Sequence, residues 1–333
     1  MRKRNVLFVL ILAVFALSVF TSQAIAKPFY EGKTLTLIVT TKPGGGYDFY
    51  ARLVGKYMQK YLPGSTIIVK NVPGAGHVIG CNTIYHAKPD GLTFGTFNRA
   101  LGLSQAVGMK GIKFDQAKMS WIGIANTELF AFIASNEFKD IDAVMKADKF
   151  RLTSEGIGAI NYLAPKLFAY MAGLDNFSVG TGYGGSEFQL AIMRGEADGA
   201  FGSWTSWQKF VKEGNGHPVM FIGRKKPAGY ENVPLIQEVV TEEKHRPTIN
   251  LMIAINALGR PYAGPPGIPA DRLQILREAF QKACNDPELI ALAEKTSHPI
   301  DYVDGETAAT FAKDILGVPP DVLAQVKKGF GME

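Results

Sequence analysis

The chain has 333 residues and a formal net charge of +6, with 36 Lys and Arg against 30 Asp and Glu. That length suggests two domains rather than one, and it supplies ample core without disulfide staples. The mild basic balance, with no Lys/Arg run interleaved with aromatics, gives no case for nucleic-acid binding.

The N-terminus has the layout of a secretory signal. Arg2, Lys3 and Arg4 precede an apolar run from Val6 to Phe20, and Ala24-Ile25-Ala26 offers a small-x-small cleavage site. Cleavage after Ala26 starts the mature chain at Lys27 and lowers the net charge to +3. The alternative is a retained anchor, for which the run is short. Export predicts a periplasmic location. Cys81 and Cys284 could form one disulfide there, but both fall in apolar helical patterns that favour free, buried thiols.

Leu35–Thr40 is β-branched and apolar, and Tyr50, Leu53, Val54, Tyr57, Met58, Tyr61 and Leu62 then follow helical spacing. Between them lies Pro43-Gly44-Gly45-Gly46-Tyr47-Asp48. Such a turn lets backbone N–H groups approach an anion at a helix N-terminus, although a tight βα turn alone explains the glycines too. Thr66–Val69 predicts a second strand, Asn71-Val72-Pro73-Gly74-Ala75-Gly76 a second turn, His77–His86 a helix and Leu92–Phe97 a third strand. This alternation predicts an α/β sheet with its ligand at the C-terminal strand edges.

Trp121–Ala125 and Leu129–Ser135 are strand candidates, and a second α/β series then runs to Ile222. Its glycine turns are Ser154-Glu155-Gly156-Ile157-Gly158 and Gly180-Thr181-Gly182-Tyr183-Gly184-Gly185-Ser186. Ile249–Ala257 is strand-like, Ala263–Pro269 a rigid turn, and the remainder helical: 271–285, 287–295, 305–316 and 320–330. Those last helices are expected to pack back on the first sheet. The domains expected are therefore 27–129 with 250–333, and 130–249, facing each other across a cleft that the chain spans twice.

Several segments together resemble the substrate-binding receptors of tripartite tricarboxylate transporters, the Bug-type periplasmic proteins. Pro43-Gly44-Gly45 with Asp48, Ala51 and Arg52 resembles P-G-G-x-x-D-x-x-A-R, and Asn71, Pro73–Gly76 and Ile79-Gly80 resemble N-R-P-G-A-G-G-N-I-G. Pro89-Asp90-Gly91 with Thr93, then Gly184-Gly185, Gly195 with Asp198, and Pro265 with Pro269 continue the family pattern over nearly the whole mature chain. The resemblance implies a two-domain class II periplasmic-binding-protein fold, hinged about its cleft. It implies that Gly44–Asp48 and Gly182–Glu187, one loop from each domain, hold a small organic acid through backbone N–H groups. The implied partners are that carboxylate and the integral membrane subunits of a transporter, with a membrane sensor kinase as another reader of the closed form; a monomer is expected.

The chain departs from the family pattern at Tyr162 and Lys166, where H-L-x-x-E is usual, at Val78 and at Tyr47. These departures argue against a typical citrate-like acid, and Tyr47 with Tyr183 at the cleft mouth could stack on an aromatic acid, close over an aliphatic diacid, or merely brace their loops. The candidate ligand-binding residues are thus Gly44, Gly45, Gly46, Tyr47, Asp48, Arg99, Gly182, Tyr183, Gly184, Gly185, Ser186, Glu187 and Asp198. Asp48 could instead cap the helix, and Arg99 could be a solvated surface charge. Trp204 and Trp207 either wall the cleft or fill the core. No metal-ligand spacing, nucleophile elbow or P-loop lysine occurs, so neither cofactor nor catalysis is expected; an exported hydrolase using Asp48 or Asp198 is the enzyme alternative.

Overall fold

The computed structural model describes residues 28–332, so the expected leader lies outside the described residues. The chain begins β1 (Thr34–Val39), α1 (Gly46–Lys60), β2 (Thr66–Asn71), α2 (Val78–Tyr85), β3 (Thr93–Thr96) and α3 (Leu101–Ala106). After β4 (Ser120–Ile124) and β5 (Phe130–Ala134) come α4 (Ile141–Met145), β6 (Phe150–Ser154), α5 (Ile160–Ala172), β7 (Phe177–Thr181), α6 (Glu187–Met193), β8 (Gly199–Ser203), α7 (Trp204–Lys212) and β9 (His217–Ile222). The remainder is α8 (Ile236–Val239), α9 (Arg246–Ala257), β10 (Pro261–Gly264), α10 (Ala270–Cys284), α11 (Pro287–Lys295), β11 (Val303–Asp304), α12 (Gly305–Leu316) and α13 (Pro320–Gly329). No described helix is long and apolar enough to cross a membrane.

The strands form two sheets, ordered β11-β4-β10-β3-β1-β2 and β7-β6-β8-β5-β9. β1 is parallel to both β2 and β3, as helical crossovers require, and β6 is likewise parallel to β7 and β8. β10 and β5 run antiparallel between their neighbours. Leu35, Leu37 and Val39 of β1 are buried, and α1 buries Tyr50, Leu53, Val54, Tyr57 and Met58. A Cβ added at Gly55 would stand 3.3 Å from Leu37 Cδ2, so the missing side chain draws α1 close onto β1.

The chain passes between the sheets at residues 125–129, and returns through α9 and the segment before β10. The two passages are bonded side by side: Ala125 N–H donates to Arg260 O at 3.0 Å, Arg260 N–H to Asn126 O at 2.9 Å, and Glu128 N–H to Asn256 O at 3.1 Å. At Gly259, with φ of +32°, a Cβ would collide with Asn126 O, so this crossing needs glycine.

Two expectations are corrected. Ile249–Ala257 is helical, not a strand: Pro247 occupies the first turn of α9, and Thr248, Ile249, Leu251, Met252, Ile255 and Asn256 are buried at helical spacing. The C-terminal helices also divide. α10 and α12 pack on β4 of the first sheet, whereas α13 lies on α5 and α9, with Leu167 Cδ2 only 2.9 Å from a Cβ position at Gly329.

Candidate functional site

The C-terminal ends of β1, β3, β6 and β8 point toward one another, and between them lies a cavity of about 80 Å³ lined from both sheets. Phe130, Phe188, Phe201 and Trp207 form apolar walls, while Asn98, Arg99, Glu155, Ser203, Ser206 and Arg260 supply polar groups.

Arg99 is fully buried, although it directly follows Asn98 in the turn after β3. Its Nε donates to Asn256 Oδ1 and its Nη1 to Ser203 Oγ, each at 3.1 Å, and the guanidinium lies 4.7 Å over the Phe130 ring. Nη2 is buried without a hydrogen-bond partner among the described residues. Burial pulls the Arg99 pKa below its ordinary value, because removing charge from water favours the neutral form. No carboxylate is in ion-pair contact with this cation among the described residues, and Glu128 acts on it only from beyond contact distance. The neighbouring Asn98 accepts through Oδ1 from Ala100 N–H and Ile160 N–H, and its amide nitrogen has no hydrogen-bond acceptor among the described residues.

The second arginine is different. Arg260 Nε is 2.7 Å from Glu128 Oε1, with both side chains buried. Its guanidinium also rests 4.5 Å over the Tyr47 ring and reaches Ser206 Oγ at 3.3 Å. Burial works against its charge, but Glu128, Tyr47 and Tyr50 together outweigh burial and hold the pKa above its ordinary value. Glu155 is hydrogen-bonded within the protein as well. Its Oε2 lies 2.7 Å from His77 Nε2 and its Oε1 accepts from Thr41 Oγ1 at 2.6 Å. Burial pushes the Glu155 carboxyl up, yet the His77 charge and the hydrogen bonds from His77, Thr41 and Asn161 hold it below its ordinary value.

Three helix N-termini border the cavity. α1 starts behind Gly45, α5 behind Ala159 and α7 behind Ser203; none is capped by its own N-cap side chain, although Asn98 Oδ1 takes the first N–H of α5. The free N–H groups and partial positive charge of such termini favour an anion.

The glycine loops meet across the cleft. A Cβ at Gly45 would be 3.2 Å from Gly185 Cα, and one at Gly185, whose φ is +61°, would strike Pro43 O. A second pair repeats the arrangement, with a Cβ at Gly76 2.7 Å from Gly158 N and one at Gly156 2.5 Å from Gly76 N. Here the missing side chains permit backbone-to-backbone approach of the two halves.

Of the residues singled out from sequence, Gly45, Gly46, Tyr47, Arg99 and Gly185 line the cavity. Arg99 is not solvated: Asn256, Ser203 and Phe130 enclose it. Tyr47 sits on the buried floor rather than at a mouth, accepting from Arg99 N–H at 3.2 Å. Gly44 and Ser186 line an adjoining outer groove. Asp48 is committed to its own loop, accepting from Gly44 N–H, Arg52 and Asn71. Burial raises the Asp48 carboxyl, but those bonds outweigh it and the pKa falls.

Gly182, Tyr183 and Glu187 border a separate surface groove, where Glu187 binds Lys42 and Gly184 N–H. A Cβ at Gly184 would meet the Lys42 side chain at 3.1 Å. Tyr183 stacks on Phe188 and faces away from the cavity lining, so no tyrosine pair closes over the site. Asp198 is removed from the site, lying at the end of β8 opposite Ser203, where it binds Arg151 through both backbone and guanidinium. Trp207 walls the cavity, and Trp204 packs in the core on Phe221 and Tyr230. Cys81 and Cys284 are free and buried.

Glu128, Glu155, Ser203 and Arg260 were not among the candidates. Glu128 and Arg260 carry a weak local signal, each being a lone charge beside an apolar strand. Their pairing joins positions too distant for spacing to expose.

Residues 50–318 match the model of the tripartite tricarboxylate transporter family receptor. A UPF0065 protein of Bordetella pertussis is 25% identical over 287 residues, covering 84% of each chain. Another UPF0065 protein, from Cupriavidus necator, is 24% identical over 312 residues, 91% of this chain and 90% of that one. Among solved structures, the periplasmic binding protein BugD superposes with a TM-score of 0.76 at 18% identity, over 91% of this chain and 99% of its own. MatC of Rhodopseudomonas palustris with bound malate gives 0.73 at 18% identity, over 87% and 99%. An R. palustris protein with adipate gives 0.72 at 14% identity, over 90% and 97%. These structures share the two-sheet architecture, and the family match covers most of the described residues: the chain belongs to the tripartite tricarboxylate transporter receptor family, whose members are solute-binding proteins.

Proposed function

We propose that this chain is an exported receptor that captures a small carboxylate between its two halves and delivers it to an integral membrane transporter. The observation that carries the reading is Arg99, a buried guanidinium in the cavity wall with no carboxylate in ion-pair contact and no partner for Nη2 among the described residues. An ionised group without an opposite charge is costly in a protein interior, and a ligand carboxylate offsets that cost through charge-assisted hydrogen bonds. The starts of α1 and α7, without side-chain caps, reinforce the preference for an anion. Malate in MatC and adipate in the second R. palustris protein are carboxylates held by the same fold.

In this reading the two sheets with their helices are the two domains, α13 siding with the second, and the bonded segments around Asn126 and Gly259 are the hinge. The contacts between glycine loops then belong to the closed form, which is the form a membrane partner reads. Thermal-shift measurements on the mature protein across mono-, di- and tricarboxylates are the test. Stabilisation by at least one carboxylate is expected, and no shift with any of them overturns the reading.

A further inference from the structure

The charge balance inside the cavity points beyond a carboxylate in general to one class of carboxylate, an inference that rests on the receptor reading. Arg260 is neutralised by Glu128 at 2.7 Å. Glu155 is held by His77 at 2.7 Å and by Thr41 at 2.6 Å. Arg99 lacks any contacting side chain of opposite charge among the described residues. One ligand carboxylate on Arg99 therefore gives each arginine of the lining an anionic partner. A second carboxylate in so small a space would find few open partners. Beside Glu155 it would face another acceptor-only anion, and beside Phe201 or Trp207 it would be desolvated with nothing to pair.

Volume sets the second limit. The cavity measures about 80 Å³, and at roughly 10–15 Å³ per water it holds about five to eight waters, hence a ligand of about that many non-hydrogen atoms. The polar groups cluster around Arg99, Asn98 and Ser203, and the opposing surface is aromatic.

We propose that the ligand is a short monocarboxylate with a compact apolar body, its carboxylate on Arg99 and the free amide of Asn98, its body against Phe188, Phe201 and Trp207. Calorimetric titration of the mature wild-type protein tests this with butyrate, isovalerate and 2-oxoisovalerate against succinate, malate, adipate, citrate and benzoate. The expected result is a Kd at least tenfold lower for one of the short monocarboxylates than for any di- or tricarboxylate or for benzoate. A diacid or citrate binding as tightly as the monoacids overturns the single-charge inference and leaves the receptor reading standing. Tighter binding of benzoate overturns the size limit, and failure of every acid removes both the inference and the reading beneath it. Glu155→Gln gives an independent readout. Removing the competing anion should narrow the monoacid-to-diacid preference severalfold, and an unchanged preference overturns the charge argument.

Discussion

Lys42 Nζ stands 2.8 Å from Glu187 Oε2, joining the loop after β1 to the first turn of α6 across the cleft. The same lysine donates to Gly182 O at 3.0 Å, so one side chain ties down the facing glycine loop at two points. Both members of the ion pair are close to half exposed, and such pairs contribute little to global stability.

Their effect should instead fall on closure. Lys42→Ala is expected to leave the melting temperature nearly unchanged while weakening ligand binding about two- to fivefold, a loss of ~1 kcal/mol or less. Small-angle scattering of the free protein should show a larger radius of gyration for the variant. A large fall in melting temperature with unchanged ligand affinity would contradict this role.

Arg99→Met keeps an apolar stem and removes the charge. Hydrogen bonds to a charged group are worth about 1.5–3 kcal/mol, so carboxylate binding should weaken about ten- to a hundredfold. The free protein should lose little stability, because an unpaired buried cation is itself costly. Calorimetry and thermal melts of the same sample separate the two effects. Retained affinity would mean that the backbone loops, rather than Arg99, anchor the ligand.

Glu128→Gln has the opposite signature. It leaves Arg260 buried without its 2.7 Å partner at the point where the two crossing segments meet. Breaking a buried ion pair from one side costs about 3–5 kcal/mol, so the urea midpoint should fall markedly. A midpoint within error of wild type would show that water reaches Arg260.

The cleft should also respond to acid through Glu155. Its carboxyl is held below its ordinary value of 4.5: burial raises it, but His77, Thr41 and Asn161 together outweigh burial. A group with a depressed folded-state pKa contributes stability above its unfolded value and loses that contribution as pH falls through the folded one. The Glu155 contribution should therefore be complete above about pH 4.5, then shrink on further acidification. Thermal melts of wild type and Glu155→Gln from pH 7 to pH 3 should converge at the acid end, and a constant gap would remove Glu155 as the titrating group.

Local pattern was enough for much of this protein. β1 with α1, and β6 with α5, are visible because hydrophobic period and glycine punctuation are properties of neighbouring residues. The meeting loops at Gly45 and Gly185 were legible for the same reason, since three glycines between a strand and a helix leave few backbone options. Residues 246–257 were not, because a short apolar run fits either period until its buried face is known.

Arg99 marks the boundary most clearly. Its sequence neighbours suggested a surface charge at a strand end, yet its hydrogen-bond partners lie 104 and 157 positions away, at Ser203 and Asn256. The pairing of Glu128 with Arg260, which cancels one cation and leaves Arg99 the uncompensated one, depends equally on how the chain crosses between its sheets. Sequence alone determined the glycine loops and most of the strands and helices that present them. Only the tertiary structure decided which charges are buried and which remain unpaired, because burial and pairing are set by groups brought together from opposite ends of the chain.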